Sequence, residues 1–423
     1  MKKTLALSIA VLLLPVIARA QRVDTTKVKP GTYVPELGYF QKAYRDDSDP
    51  RFMITDKDGR FSLGVGGTVH MGTFYDFDGA MEGNAFSPGE IAIPMDRTGH
   101  FDYTAESSEV YVKARATCGK HKITAVMQLS GEEDNGKDYI MLGKAYVSVD
   151  GFTVGKTYSF FMDLEAGPMT VDLQGPNTQI SRTHNLVGYT LPIGSKWTVA
   201  AALEAPHSIS EDYEASKVSA DYNQLPDLAA HVKYRGAKGH VQIGALLRQV
   251  SYWSSRTGFD VAADGVTKRA SGFGVSLSGN YKPSDKLTLS AQAIYGRGIS
   301  YYIQDLSGLD LSLGMKPAPD ADGYAALAPL AAAGGYVSAT YRWSDSFRSS
   351  AVYGLCHLDP RGLEVADPFK RTSYAAANLF YYFSPYCFLG VEYLYGQKLI
   401  YAAAPGADRG HANRLNACLC YKF

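Results

Sequence analysis

Several ordinary landmarks are scarce in this 423-residue chain, and each scarcity removes a class of protein. Five cysteines are present, Cys118, Cys356, Cys387, Cys418 and Cys420, an odd number without regular spacing. That argues against a disulfide framework. Cys418-Leu419-Cys420 has no histidine nearby to complete a metal site, so both thiols read as small wall residues, and nothing calls for a metal or other cofactor. Charge of one sign is missing too. The 42 basic and 42 acidic residues cancel; setting aside Lys2, Lys3 and Arg19 of the leader described below leaves 39 against 42, a net of −3. A nucleic-acid binder would carry a basic excess. Beyond the first twenty residues no apolar run is long enough for a membrane-spanning helix. Gly-x-Ser-x-Gly does not occur. GFTVGKT (Gly151–Thr157) imitates a phosphate loop, but it is one residue short and no helix follows.

What is present starts with Lys2-Lys3, the apolar run LALSIAVLLLPVI and ARA before Gln21. A basic start, an apolar stretch and a small-residue cleavage site predict a secretory signal peptide over 1–20. Residues 21–60, with Pro30, Pro35 and DDSDP, read as an irregular periplasmic segment. DKDGRF lacks the glutamate of a calcium loop and reads as a turn before the first strand. The 42 glycines and 30 tyrosines suit short amphipathic strands between turns.

From Phe61 onward an alternation of period two dominates. It predicts sixteen strands: 61–77, 107–118, 121–131, 138–150, 151–157, 180–191, 196–205, 227–235, 239–253, 270–281, 286–303, 333–343, 347–358, 371–384, 387–398 and 412–423. Tight turns such as CGKH, VDGF and PIGS alternate with longer connections at 78–106, 132–137, 158–179, 206–226, 254–269, 304–332, 359–370 and 399–411. An even number of antiparallel strands, short turns at one end and long loops at the other, indicates an all-β transmembrane antiparallel barrel over 61–423. In KWTVAAALEA the outward set is Trp197, Val199, Ala201, Leu203 and Ala205; in DLAAHVKYR it is Leu228, Ala230, Val232 and Tyr234. No charge enters these sets, as a lipid-facing wall requires. The terminal strand LNACLCYKF turns Leu415, Ala417, Leu419, Tyr421 and Phe423 outward, and closing the barrel requires it to pair with the first.

Sixteen strands enclose an aqueous lumen. By parity the inward face carries Lys113, Arg115, Lys122, Lys144, Arg182, His184, His231, Lys233, Arg235, Arg248, Lys282, Arg342, Arg348 and Lys422. Fewer acids face inward: Glu109, Asp150, Glu204 and Glu392. Such a wall attracts anions, although Val250 and Tyr252 break the polar alternation just beyond Arg248, which suggests a bulge. The loop SFFMDLEAGPMTVDLQGPN (159–177) is too apolar to float in solvent. Folded into the barrel as a constriction that includes Phe161, it would set Asp163, Glu165 and Asp172 opposite the basic wall, across a transverse field. Docking at a subunit interface is the other reading.

VGKTYSFFMDLEAGPMTVDLQGP and LPDLAAHVKYRGAKGHVQIGALLRQVSYW resemble the DcaP-type outer-membrane porins. The likeness is tightest over 145–253; Phe161-Met162-Asp163 and Gly175-Pro176 are its most specific pieces. It implies a homotrimer of barrels in a Gram-negative outer membrane, passing small anionic solutes, dicarboxylates among them, along Arg182, His231 and Arg248. Members with an N-terminal heptad segment differ from this chain. A terminal aromatic such as Phe423 resembles the signal read by the barrel assembly machinery. The expectation is passive diffusion, without chemistry, along Lys113, Arg115, Arg182, His231, Lys233, Arg248 and Arg342, with outer-membrane lipid around the wall. Two rival readings remain: a barrel hydrolase using one of His70, His100, His121 or His357, and a plugged structural or adhesion barrel.

Overall fold

The computed structural model describes residues 50, 52–79, 85–95, 99–134, 137–209, 218–256, 265–365, 367–401 and 408–423. The leader at 1–20 and most of the segment 21–60 lie outside the described residues. Sixteen long strands form one antiparallel barrel: β1 Phe61–Asp78, β2 Glu109–Cys118, β3 His121–Asp134, β4 Lys137–Val149, β5 Phe152–Tyr158, β6 Thr183–Ile193, β7 Trp197–Glu204 and β8 Asp227–Gly236. The second half is β9 Gly239–Ser254, β10 Val266–Ser284, β11 Leu287–Arg297, β12 Ala331–Arg342, β13 Phe347–Asp359, β14 Phe369–Ser384, β15 Cys387–Ile400 and β16 Arg409–Lys422.

The circle closes where β1 pairs with β16, from Thr68 opposite Lys422 to Asp76 opposite Arg414. Phe423 continues the pairing, its N–H donating to the Gly67 carbonyl at 3.0 Å. Below that point the edge of β1 would be bare, and Phe52–Thr55 covers it, opposite Ser62–Val65. These four residues are therefore not irregular, because unpaired backbone at a membrane edge is costly. DKDGRF is the turn it was read as, the Phe61 N–H donating to Asp56 Oδ1 at 3.0 Å. At the β4–β5 turn Asp150 and Gly151 both take positive φ, 50° and 95°, the hairpin geometry that Asp-Gly favours.

Connections differ from expectation: His100–Thr104 and Val218–Ala220, inside predicted loops, pair with β1 and β9. The predicted loop 132–137 is absorbed into strands: β3 and β4 run on, Asp134 pairing with Lys137. The predicted strand 286–303 stops at Arg297. Gly298 takes φ 71°, and the chain leaves the wall for the lumen.

The lipid face is as read. Trp197, Val199, Leu203, Leu228, Val232, Tyr234, Leu415, Leu419, Tyr421 and Phe423 are all exposed. The suspected slip after Arg248 does not occur. β9 stays in register with β10 from Gly239 to Ser254, and Val250 and Tyr252 remain inward. They are apolar because Leu313, Met315 and Leu327 of the connection 298–330 cover them.

Three connections fold inward and fill much of the barrel. Phe161, Met162 and Ile180 pack with Ile299, Tyr302, Ile303 and Leu306 against Leu246, Ile294 and Cys356 of the wall. Met169 and Val171 pack against Phe380, Phe388 and Cys418. Phe86 and Ile91, from the long connection 78–106, pack against Tyr374 and Leu394. Inner-wall glycines make the seats. A Cβ on Gly244 or Gly274 would sit 3.1 or 3.2 Å from the Phe161 ring, and one on Gly354 would strike Asn177 at 2.4 Å. All five cysteines are free thiols.

Candidate functional site

The constriction loop is anchored at both ends and along its length. The Ser159 N–H donates to the Arg182 carbonyl at 2.9 Å, tying its two legs together. The Phe160 N–H donates to Glu204 Oε1 at 2.7 Å. Phe161 sits edge-on to Tyr302, centroids 6.0 Å apart.

Its acids do not face the basic wall across an opening. They sit on it. Asp163 accepts from His240 Nε2 at 2.7 Å, Ser278 Oγ at 2.8 Å and Lys233 Nζ at 3.2 Å. Glu165 accepts from Lys233 at 3.0 Å and from Arg235 Nη2 at 2.5 and 2.7 Å. Asp172 accepts from the Tyr374 hydroxyl at 3.1 Å, and its N–H donates to Glu392 at 2.7 Å. The expected transverse field is thus cancelled at short range for Asp163 and Glu165, while Asp172 is buried against Tyr374 and Glu392 away from the Lys233–Arg235 wall. A buried carboxylate facing open space would pay its desolvation without a partner. Burial raises the Asp163 carboxyl, but His240 and Lys233 outweigh it and hold the group well below the usual carboxylate range. For Asp172 burial wins, and the carboxyl is pushed up to about 6.

The residues expected to line the path divide into two groups. Lys113, Arg115, His231 and Lys233 do come together, with Arg235, around a cavity of about 780 Å³ floored by Phe160, Met162 and Leu164. Hydroxyls of Thr124, Ser148, Thr153, Thr190, Tyr146 and Tyr158 complete it, and Glu165 is its acid. Lys144 lies beside it, 4.7 Å over the Tyr158 ring.

Arg182, Arg248 and Arg342 are elsewhere. Arg182 Nε donates to the Tyr301 carbonyl at 2.6 Å. Arg248 donates to the carbonyls of Gly298 at 3.0 Å and His207 at 2.9 Å, with Nε 3.5 Å from Asp227. Both arginines hold incoming chain to the wall. Arg342 lies at the turn end of β12, 3.9 Å from Asp345.

On the loop side a smaller cavity of about 150 Å³ is lined by His70, Glu106, Glu132 and Asp172, acidic where the larger one is basic. The histidines of the hydrolase reading are scattered. His70 bonds the Glu106 carbonyl at 3.1 Å, His121 bonds Asp150 at a turn at 2.5 Å, and His357 points outward.

Sequence reasoning missed two features. Arg414, buried, pairs with Asp76 at 2.6 and 2.9 Å, though parity alone would have placed it inward with Asn416. The inward fold of 298–330 was missed as well. Its stretch ISYYIQDLSGLDLSLG is as apolar as 159–177, and the same criterion would have found it.

Comparison with known proteins agrees with this architecture. The barrel is similar to the outer-membrane channel DcaP of Acinetobacter baumannii, with 18% identity, a TM-score of 0.71, and 88% of this chain and 99% of that chain covered. It also resembles OmpT of Vibrio cholerae, at 13% identity and TM-score 0.52 over 86% of this chain and 98% of the other. An anion-selective porin from Comamonas acidovorans matches at 11% identity and TM-score 0.52, over 86% and 100%. No curated protein matches the chain. The family described as Porin subfamily matches residues 99–350, more than half the length. A closed sixteen-stranded barrel with an apolar outer wall and that match together make the chain a member of the porin subfamily, a channel of the Gram-negative outer membrane.

Proposed function

We propose that the channel passes small anions, dicarboxylates among them, by passive diffusion. The supporting observation is the cavity beside the constriction loop, where Lys113, Arg115, Lys233 and Arg235 face Glu165. Fixed cations in a low-dielectric lumen concentrate anions and raise their rate of entry. Cations stand on two sides of the cavity, Lys113 and Arg115 on β2 and, sharing Glu165, Lys233 and Arg235 on β8, an arrangement that suits a solute with two carboxylates. Acid at the mouth lowers the entry rate without reversing the preference, because screening confines its effect to about a Debye length, ~8 Å at physiological ionic strength, and the cations act on the solute further in.

The reading includes a homotrimer. Tyr139, Ile140, Met141 and Leu142 are all exposed at 40% or more, four neighbours that break the alternation on the β3–β4 hairpin. A solvated surface does not keep such a run bare. OmpT of Vibrio cholerae has been described in a trimer form. A cleaved leader over 1–20 and recognition of the outward Phe423 by the assembly machinery belong to the same proposal.

The test is reversal potential in a planar bilayer under a tenfold salt gradient. Anion preference is expected, moving toward cations in Lys113→Ser/Arg115→Ser. Dicarboxylates should reduce the current more than monocarboxylates at equal concentration. A cation-preferring channel, or an unchanged potential in the double variant, would defeat the proposal.

A further inference from the structure

Toward the turn end the inner wall of the filled arc changes character. Along β11 the inward row is apolar at Ile294, where the connections pack on it, and hydroxyl-bearing at Ser290 and Thr288. A cavity of about 270 Å³ lies there, between Leu164, Pro168 and Met169 of the constriction loop and the ends of β8 to β12. Lys282, Thr288, Ser290 and Thr340 line it from the wall, and Lys238 lines it from the β8–β9 turn. Leu164, Glu165 and Arg235 border both this cavity and the larger one, so they form the partition between the two.

The charge in this second cavity is uneven. Glu165 is the one acid among its lining residues, and Arg235 already holds it at 2.5 and 2.7 Å. Among the described residues no carboxylate pairs with Lys238 or Lys282. The two lysines are tied together through the backbone, the Lys282 N–H donating to the Lys238 carbonyl at 2.7 Å. Lys282 also sits in an irregularity of the wall, where the β10–β11 ladder shifts register between Tyr281 and Ser284. Bulges of this kind re-aim a side chain out of the regular ladder.

Thr288 supplies the independent observation. It is 4% exposed, and its hydroxyl has no hydrogen-bond partner among the described residues. A buried hydroxyl without a partner is costly, and valine would fill the same space without that cost. Lysines needed only to keep the turn wet would not require a buried donor beside them. A donor kept next to two cations suits a ligand that only accepts, as a carboxylate does.

We propose that Lys238, Lys282 and the Thr288 hydroxyl form a second anion-binding site, at the turn-side mouth beneath the constriction loop, that takes a carboxylate of the permeating solute. Short turns face the periplasm in such barrels, so the site stands where solute leaves the channel. The inference rests on the anion reading of the channel and adds a second station to it.

The test is noise analysis of the chloride current through full-length channels in a planar bilayer, with succinate in both compartments as the probe. Two sites should give two relaxation components in wild type. Lys113→Ser/Arg115→Ser should remove one, and Lys238→Ser/Lys282→Ser the other. The component lost in the second variant should return only at about tenfold higher succinate, the cost of a missing charge-assisted bond. Thr288→Val, which keeps the shape, should weaken that same component about threefold, as loss of one neutral donor does. Lys286→Ser, on the neighbouring β10–β11 turn and outside the cavity lining, should leave both components in place. Heat-resistant gel migration reports folding, and if the double lysine variant fails it, Thr288→Val is read alone. Both components persisting in Lys238→Ser/Lys282→Ser, or an equal effect of Lys286→Ser, would overturn the site. A cation-preferring wild type would remove the anion reading and this site with it. An anion-preferring wild type with a single component, lost in Lys113→Ser/Arg115→Ser, would remove the second site alone.

Discussion

Two arcs of the same inner wall obey one backbone rule and end in opposite states. From β2 to β6 the inward positions carry Lys113, Arg115, Thr124, Ser148, Thr153 and Thr190 and border the open cavity. From β9 to β15 the same parity places Leu246, Val250, Ile294, Cys356 and Leu394 inside, all buried, beneath chain that has left the rim. Inward therefore does not mean wet. The strand's period decides which face a side chain takes; the neighbouring connection decides what that face must touch. The filled arc is a packed interior of the kind found in soluble domains. On the proposed reading it leaves the charged arc to the solute, and selectivity would reside in the side of the barrel with less structure in it.

The sharpest way to break this contrast is to empty the filled arc. Phe161 is fully buried, seated over Gly244 and Gly274. Phe161→Ala should cost about 3–5 kcal/mol, lowering the thermal midpoint and releasing the constriction loop. Single-channel conductance should rise several-fold. Unchanged conductance together with an unchanged midpoint would mean that the packing seen around Phe161 does not narrow the path.

The division between the arcs also explains what could be read from sequence. Strands and faces were legible because alternation is local: each of the sixteen expected strands has a counterpart, and the parity of β9 holds through Val250 and Tyr252. The inward fold of 159–177 was legible from its apolar residues. The destinations of the charges were not. Nothing in the spacing of Asp163 and Glu165 says that they will meet Lys233, Arg235 and His240, about seventy residues on. Such pairs depend on the curvature of the wall and on burial that forces compensation. For that reason Arg248, expected on the solute path, proved to be an anchor. The glycine seats are equally silent in sequence, since only the docked ring shows why Gly244 lacks a side chain.

Exchanging one arginine in each arc compares them directly. Arg248→Ser leaves Asp227 without its 3.5 Å partner and frees the Gly298 and His207 carbonyls. A loss of about 2 kcal/mol is expected, with a lowered thermal midpoint. The change in reversal potential should be small. Arg115→Ser, on the cavity wall, should do the reverse, leaving the midpoint within a degree or two and moving the reversal potential toward cations. If Arg248→Ser moves selectivity as far as Arg115→Ser, the arcs are not functionally distinct.

The smallest effect is expected at their boundary, where Glu165 joins Lys233 and Arg235. About a third of this carboxylate's surface remains exposed, and exposed pairs contribute less than about 1 kcal/mol. Glu165→Gln should therefore barely change stability. It should still raise anion preference slightly, since two cations at the cavity lose the charge that offsets them. Acid should mimic the substitution. Burial raises the Glu165 carboxyl, but the Arg235 bond and the Lys233 charge outweigh it and hold the group down at about 2. A depressed carboxylate stabilises the fold above its ordinary value, near 4.5, and that contribution is lost as pH falls through the depressed one. Reversal potentials measured from pH 5 down to pH 2 should drift further toward anions in wild type than in Glu165→Gln. Parallel drift in the two proteins would assign the acid response to other carboxylates, with Glu106 and Glu132 of the mouth next in line, and would remove Glu165 as the link between the packed arc and the conducting one.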